Sequence, residues 1–373
     1  TWNQHVHPDD LEASKQRPST DGDAAGKLGS TRMRRANRMA AEILRRRMRA
    51  RRPRDLKLVR RAAAADVVVV RGAYDRVQDV LRAVGVKHVV IPPRLVHRIP
   101  FMSFQTVMIN CPGRLGGKAL VRLRRFVRTG GYLVTTDWAL RAVQTMFPGT
   151  IARGGRNTKN DVVGVTLHRH AHPVLRSAQT GTIKPRWWLE SASYPIRVLD
   201  RRRVKVLISS AEMKKKYGHG AIAVAFRFDD GQVLHTTSHF YLQQARLRGR
   251  RERARGSAFA RSAGLSAADV AALKKQGLDR LAVGALNSAY AMQQIIVNLL
   301  VQKSRANTKL FASHGHRAVR GFVLQGVSGG AGRGAAVRKG FILRVLERRG
   351  ERVRVRDLFG RVGWTAARNL AHR

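Results

Sequence analysis

Cysteine is nearly absent from this chain, and acids are scarce. Cys111 is the sole cysteine among 373 residues. One thiol excludes an intrachain disulfide, which fits a reducing compartment such as the cytoplasm. No apolar run is long enough to cross a bilayer as a helix. The sequence opens on Thr1, so a leader removed from its front is compatible with it. Only 23 Asp+Glu face 73 Lys+Arg, a formal net charge of +50. Self-repulsion at that level opposes compaction, and a polyanionic partner relieves it. Nucleic acid is the commonest such partner, although an anionic membrane surface or an acidic cell-wall polymer meets the same need. A compositional arginine bias is the bland alternative.

What is present supports a core. The hydrophobic fraction of 43% is ordinary for a globular protein. Residues 1–30 are polar, carry Pro8, Pro18 and several glycines, show no apolar period, and are expected to form a disordered tail. Across 31–61, Met33, Ala36, Met39, Ala40, Ile43, Leu44 and Met48 recur at helical spacing. Arg34, Arg35, Arg38, Arg45, Arg46 and Arg47 fill the other faces, and Pro53 marks the helix end. This is a basic amphipathic helix, suited to phosphate backbones or to packing by its apolar stripe.

Residues 62–303 alternate short apolar runs with helical segments. Strands are expected at Asp66–Val70, Lys87–Ile91, Thr106–Asn110 and Tyr132–Thr136, with helices at Tyr74–Val84, Lys118–Arg128 and Ala139–Phe147. Continuous apolar strands between helices predict an α/β fold, a flavodoxin-like parallel sheet covered on both faces. From Asp161 the chain is richer in strand signals, with Asp229-Asp230-Gly231 as a hairpin turn. A basic insert follows, carrying Arg248, Arg250, Arg251 and Arg253, and an apolar helix at Asn287–Lys303 closes the domain. Residues 304–320 are expected to be a linker, and 321–373 a small β-barrel-like module with a hairpin around Arg349-Gly350.

Four stretches carry a family likeness: TVMINCPG (Thr106–Gly113), LRRFVRTGGYLVTTDWAL (Leu123–Leu140), His172-Pro173-Val174, and GQVLHTTSHF (Gly231–Phe240). In that order the chain resembles the class I glutamine amidotransferase-like superfamily, in particular its trehalose-utilisation-like (ThuA-like) branch. The resemblance implies a nucleophilic cysteine on the turn after the strand that follows the Gly-Gly stop. Asp137 stands there instead, and a carboxylate cannot perform thiolate acyl transfer. Asp137 is expected to cap the helix beginning near Trp138. His239 falls where the resemblance implies the triad histidine. Cys111, Asp137, Trp138 and His239 are therefore the expected ligand-pocket residues, with Asp137 and His239 the catalytic pair if the protein is an enzyme. The stretch Arg352–Leu370, with Gly363, Trp364 and Leu370, resembles the end of bacterial SH3-like (SH3b) domains, which implies a binding module for a protein partner.

Other candidates weigh less. His168, His170 and His172 alternate as a strand would, which could gather imidazoles on a metal, but Pro173 breaks the strand. Asp229 and Asp230 are turn formers. Glu190 has no partner close in sequence. The run Gly329–Gly334 lacks the ending of a phosphate loop and reads as flexible. No cofactor is expected. The leading expectation is a catalytically inactive amidotransferase-like scaffold that binds a polyanion, nucleic acid first, through its basic segments. The alternatives are a ThuA-like enzyme acting on a carbohydrate-like or other small ligand, and a structural subunit of a larger assembly.

Overall fold

A computed structural model describes residues 24–168, 172–313, 316–327 and 334–372. Most of the expected tail, His170 and most of the glycine-rich run lie outside the described residues. The first helix, α1 (Ala24–Arg51), begins before the expected Thr31. Its stripe of Met33, Ala36, Met39, Ala40, Ile43, Leu44 and Met48 is buried. Pro53 opens a second helix, α2 (Pro53–Arg61), where its missing N–H costs nothing.

The central sheet then builds from short, largely apolar strands. β1 (Val67–Val70), β2 (Val89–Ile91), β3 (Thr106–Ile109) and β4 (Tyr132–Thr136) alternate with helices α3 (Val77–Val84), α4 (Gly117–Arg128) and α5 (Leu140–Met146). After β5 (Ile151–Arg153), β6 (Asp161–Gly164), β7 (Thr166–Leu167), β8 (Arg186–Leu189), β9 (Ile196–Val198) and β10 (Lys205–Ser209), helix α6 (Ala211–Tyr217) leads to β11 (Ala221–Phe228) and β12 (Gly231–Thr236). The ten-stranded sheet runs β2-β1-β3-β4-β12-β11-β10-β7, with β9 against β11 and β5 against β9. The five strands from β2 to β12 are parallel, and β11, β10 and β7 extend them antiparallel. The parallel part has the flavodoxin-like order, which places the carboxyl ends of β1 and β3 at a topological switch point.

Helices cover both faces. On one side α1, α3 and the long α10 (Val283–Ser313) pack on the sheet, and on the other α4 and α5 do. Three short helices, α7 (Arg250–Arg253), α8 (Gly256–Ser262) and α9 (Ala267–Lys275), lead into α10. Polar ties fix α1 on α10: Gln293 Nε2 donates to the Asn37 carbonyl at 2.8 Å, and Arg52 Nη1 to Asn298 Oδ1 at 2.9 Å. Among the described residues no helix is long and apolar enough to cross a membrane.

The segment expected as a linker is ordered differently. Its first part continues α10 to Ser313, and its last part contains β13 (His316–Ala318). That strand joins an antiparallel five-stranded sheet with β16 (Ile342–Arg349), β17 (Arg352–Asp357), β18 (Val362–Ala366) and β19 (Leu370–His372), beside the pair β14 (Phe322–Leu324) and β15 (Ala335–Val337). The module has its own small core of Ala318, Leu324, Val337, Leu343, Val353 and Val355. It meets the main domain where Ser103 N donates to the Leu358 carbonyl at 2.7 Å and Arg356 pairs with Asp230 at 2.9 Å.

Candidate functional site

Chemistry-bearing side chains gather at the carboxyl ends of the parallel strands. Asp75 follows β1, Cys111 follows β3, Asp137 follows β4 and His239 follows β12, and all four are buried. Gly72 lets this edge close, because a Cβ there would lie 2.1 Å from the Cys111 carbonyl. The Cys111–Pro112 peptide is cis.

Asp137 does sit on a sharp turn. Its φ of 46° is left-handed, a conformation a non-glycine residue adopts at a cost of about 1–3 kcal/mol. It does not cap the following helix, contrary to expectation: no side-chain cap bond is made there. The carboxylate turns across the sheet edge instead. Oδ2 accepts from Ser193 Oγ and Oδ1 from Tyr194 N, each at 2.9 Å. The left-handed turn aims the side chain away from its own helix, and the β8–β9 loop supplies better donors.

His239 Nε2 lies 3.5 Å from Asp137 Oδ2, and Nδ1 lies 2.9 Å from Glu190 Oε2. His239 is therefore held among carboxylates, not by backbone. Burial works against its charge, but the facing Asp137, Cys111 and Glu190 groups outweigh that, so the imidazole titrates well above its ordinary value. Cys111 Sγ lies 3.8 Å from Asp137 Oδ2. The thiol thus stands beside the His239 group, but it comes from the end of β3 and not from the turn of Asp137. Burial pushes its pKa up, with His239 pulling the other way. A buried thiol held protonated is a poor nucleophile.

Trp138 is not part of the cluster. Its ring stacks on Tyr194 at 5.9 Å, meets Tyr74 edge-on at 5.3 Å, and donates through Nε1 to the Ala192 carbonyl. Sequence reasoning missed Glu190 as a partner, together with Ser193, Tyr194 and Asp75. Glu190 lies far from His239 in sequence, and no local pattern links them. The histidine series does not form a site among the described residues. His168 Nε2 lies 2.8 Å from Ser209 Oγ, whereas His172 Nδ1 accepts from Val174 N. The strand ends at Leu167, so the alternation that would align the rings is lost.

The expected basic segments divide. Arg34, Arg35 and Arg38 are exposed on α1. Arg45 and Arg46 pair with Glu42, Arg46 also with Asp269, and Arg47 donates to Tyr290 Oη at 2.7 Å. Those three serve packing: Arg45 reaches the Ala83 carbonyl on α3, Arg46 meets α9 and Arg47 meets α10. In the insert, Arg248, Arg250, Arg251 and Arg253 are exposed, with Arg248 paired to Glu212 at 3.0 Å.

A further basic surface was not anticipated. A cleft of about 1190 Å³ opens between α4 and the C-terminal module. Lys118, Arg122, Arg124, Arg125, Arg128, Arg338, Lys339 and Arg361 line it, against one acid, Asp229. Phe341 and Phe359 form part of its wall, with ring centroids 6.1 Å apart, and Val121 stands 72% exposed at its edge. Burial, added to crowding by Arg128, Arg361 and Arg122, lowers the Arg125 pKa against the pull of Asp357. The signal lies in KALVRLRRFVR, which the sequence marks only as a helix. In the C-terminal module Trp364 is half-buried, with Arg349 and Arg352 over its ring at 5.3 and 5.8 Å.

No protein-family model matches the chain, and no curated protein matches it. Solved structures give partial likenesses. A glutamine amidotransferase from Thermotoga maritima shares 11% identity over 65% of this chain and 99% of its own, with a TM-score of 0.38. A putative ThuA-like protein from Bacteroides uniformis shares 13% identity over 47% of this chain and 82% of its own, with a TM-score of 0.32. The GH42 β-galactosidase Gan42B of G. stearothermophilus shares 12% identity over 48% of this chain, with a TM-score of 0.34, and the chain spans only 28% of that enzyme's length. The fold stands on the strand order and register described above.

Proposed function

We propose that this protein binds a polyanion, specifically single-stranded nucleic acid, in the cleft between α4 and the C-terminal module, on an amidotransferase-like scaffold that lacks thiol acyl-transfer chemistry. The cleft itself carries the reading. Lys118, Arg122, Arg124, Arg128, Arg338 and Lys339 are exposed there, and none of them has an acidic partner among the described residues. Like charges are held together only where a partner or counterions screen them. Arginine forks match phosphate oxygens, and half-buried Phe341, beside a Phe359 ring that Arg361 covers at 5.1 Å, offers a face on which an unpaired base can stack. A duplex hides its base faces, so a single strand fits better. The SH3-like character of the C-terminal module belongs to the same reading, since that module supplies one wall. The test is fluorescence anisotropy with a random single-stranded oligonucleotide and its duplex across a salt series. Engagement of about five phosphates gives a log–log salt slope of about −3.5 for the single strand. Salt-insensitive binding, or preference for the duplex, overturns the proposal.

A second reading, a ThuA-like enzyme acting on a carbohydrate-like or other small ligand, rests on the convergence of Asp137 and His239 at 3.5 Å with Glu190 behind them. Two features weigh against it. Both Asp137 oxygens already accept bonds, and the Asp137 and His239 side chains are 3% and 1% exposed. A turnover on glycosides or esters that disappears in both Asp137→Asn and His239→Gln would establish this reading.

A further inference from the structure

Beyond nucleic-acid binding, the geometry points to a zinc-type metal site formed by Cys111 Sγ, Asp137 Oδ2 and His239 Nε2, with Glu190 as the carboxylate that orients the histidine. The donor atoms of the three residues lie within 4.8 Å of one another, and all three side chains are buried. Their spacing is informative. Asp137 Oδ2 is 3.5 Å from His239 Nε2 and 3.8 Å from Cys111 Sγ. A charge-assisted N–H···O bond closes to about 2.7–2.9 Å. Zinc bonds of about 2.3 Å to sulfur and 2.0–2.2 Å to nitrogen or oxygen, set at tetrahedral angles, separate the donors by roughly 3.4–3.6 Å. The 3.5 Å separation of oxygen and nitrogen matches ligands around a common ion and exceeds a charge-assisted bond, whereas the 3.8 Å separation of sulfur and oxygen is that of a weak S–H···O contact and closes by a few tenths of an ångström when an ion replaces the thiol proton.

The imidazole supplies an independent observation. His239 is 2% exposed, and its Nε2 makes no well-angled hydrogen bond. A buried ring nitrogen left this way is costly unless something accepts its lone pair. Nε2 is directed at the shared space between Asp137 and Cys111, and Nδ1 lies 2.9 Å from Glu190 Oε2. A metal-bound histidine characteristically sends its second nitrogen to a carboxylate, which fixes the ring and its tautomer. Charge also balances: a thiolate and a carboxylate neutralise a divalent ion, and the thiol proton leaves to solvent on binding. The donor set of sulfur, nitrogen and oxygen suits Zn(II) or Co(II) and not a hard ion such as Mg(II). Three protein ligands leave a fourth position for water. Ser193 Oγ and Tyr194 N already hold the Asp137 carboxylate in place.

The test uses the full chain, stripped with chelator and titrated with Co(II), then with Zn(II) in competition. Because Cys111 is the sole cysteine, a thiolate-to-cobalt charge-transfer band reports that residue alone. The site predicts one cobalt per chain, this band in the near ultraviolet, intense tetrahedral visible bands, and displacement of all of them by Zn(II). Glu190→Gln keeps the band but weakens affinity about 10–100-fold. Cys111→Ser, shown to be folded by circular dichroism, loses the band. Cobalt bound without a charge-transfer band, or no stoichiometric cobalt in the folded wild type, overturns the proposal without bearing on the nucleic-acid cleft.

Discussion

Asp137 and His239 leave the ends of two adjacent parallel strands, and their side chains meet with Oδ2 3.5 Å from Nε2. The register Thr136↔Thr236 sets the two chain segments side by side just before they turn. Removing one member of a buried charge-paired group strands the others. Asp137→Ala is expected to lower unfolding free energy by about 3–5 kcal/mol, measured by urea denaturation. The deletion leaves His239, Ser193 Oγ and Tyr194 N facing an empty space. A change below about 1 kcal/mol would show that the carboxylate does not organise this edge.

Gly72 makes a second, steric prediction. Any side chain there meets the Cys111 carbonyl at 2.1 Å and Asn110 Cβ at 2.7 Å. Gly72→Ala is expected to displace the Cys111 loop and to cost about 1–3 kcal/mol, as in overpacked cores. Gly116→Ala, where a Cβ would meet nothing within 4 Å, serves as the control and should melt within a degree or two of the wild type.

His235 gives the fold an acid-sensitive limb. It is fully buried on β12, its Nδ1 lies 2.8 Å from Thr135 Oγ1, and burial lowers its pKa from 6.5 to about 3. The unfolded chain binds a proton on this residue between pH 6.5 and 3 while the folded chain does not. Its contribution is therefore complete above pH 6.5 and is lost as pH falls toward 3, by about 1.4 kcal/mol per unit. Denaturant melts from pH 7 to 4 should show that slope, and His235→Gln, which keeps a polar tip facing Thr135, should flatten it. An unchanged slope in the variant would assign the acid limb elsewhere.

The parallel half of the fold was readable because its strands are short runs rich in β-branched and apolar residues, such as VVVV and YLVTT, between helical periods. The antiparallel half was only partly so. Strand β8 carries Trp187 and Trp188, and β5 and β9 are three residues each, too short to show a period. The helix α10 extends beyond its apolar stretch because Arg305 pairs with Asp55 and Asn307 donates to the Phe104 carbonyl, contacts between residues remote in sequence. The positions of Cys111, Asp137 and His239 at strand ends followed from the likeness quoted for them. Their actual partners did not, because Ser193, Tyr194 and Glu190 arrive from a loop whose path depends on tertiary packing. The basic cleft escaped notice for the same reason: its walls are α4 and a module more than two hundred residues later.

The central claim is that a particular cleft, and not diffuse positive charge, takes the nucleic acid. The most direct measurement compares two triple variants of equal charge change on one single-stranded oligonucleotide at fixed salt. Arg124, Arg128 and Lys339 replaced by Glu disarm the cleft, and Arg34, Arg35 and Arg38 replaced by Glu discharge the exposed face of α1. The account predicts that the cleft variant loses at least a hundredfold in affinity while the helix variant loses less than tenfold. Equal losses in the two variants would contradict it.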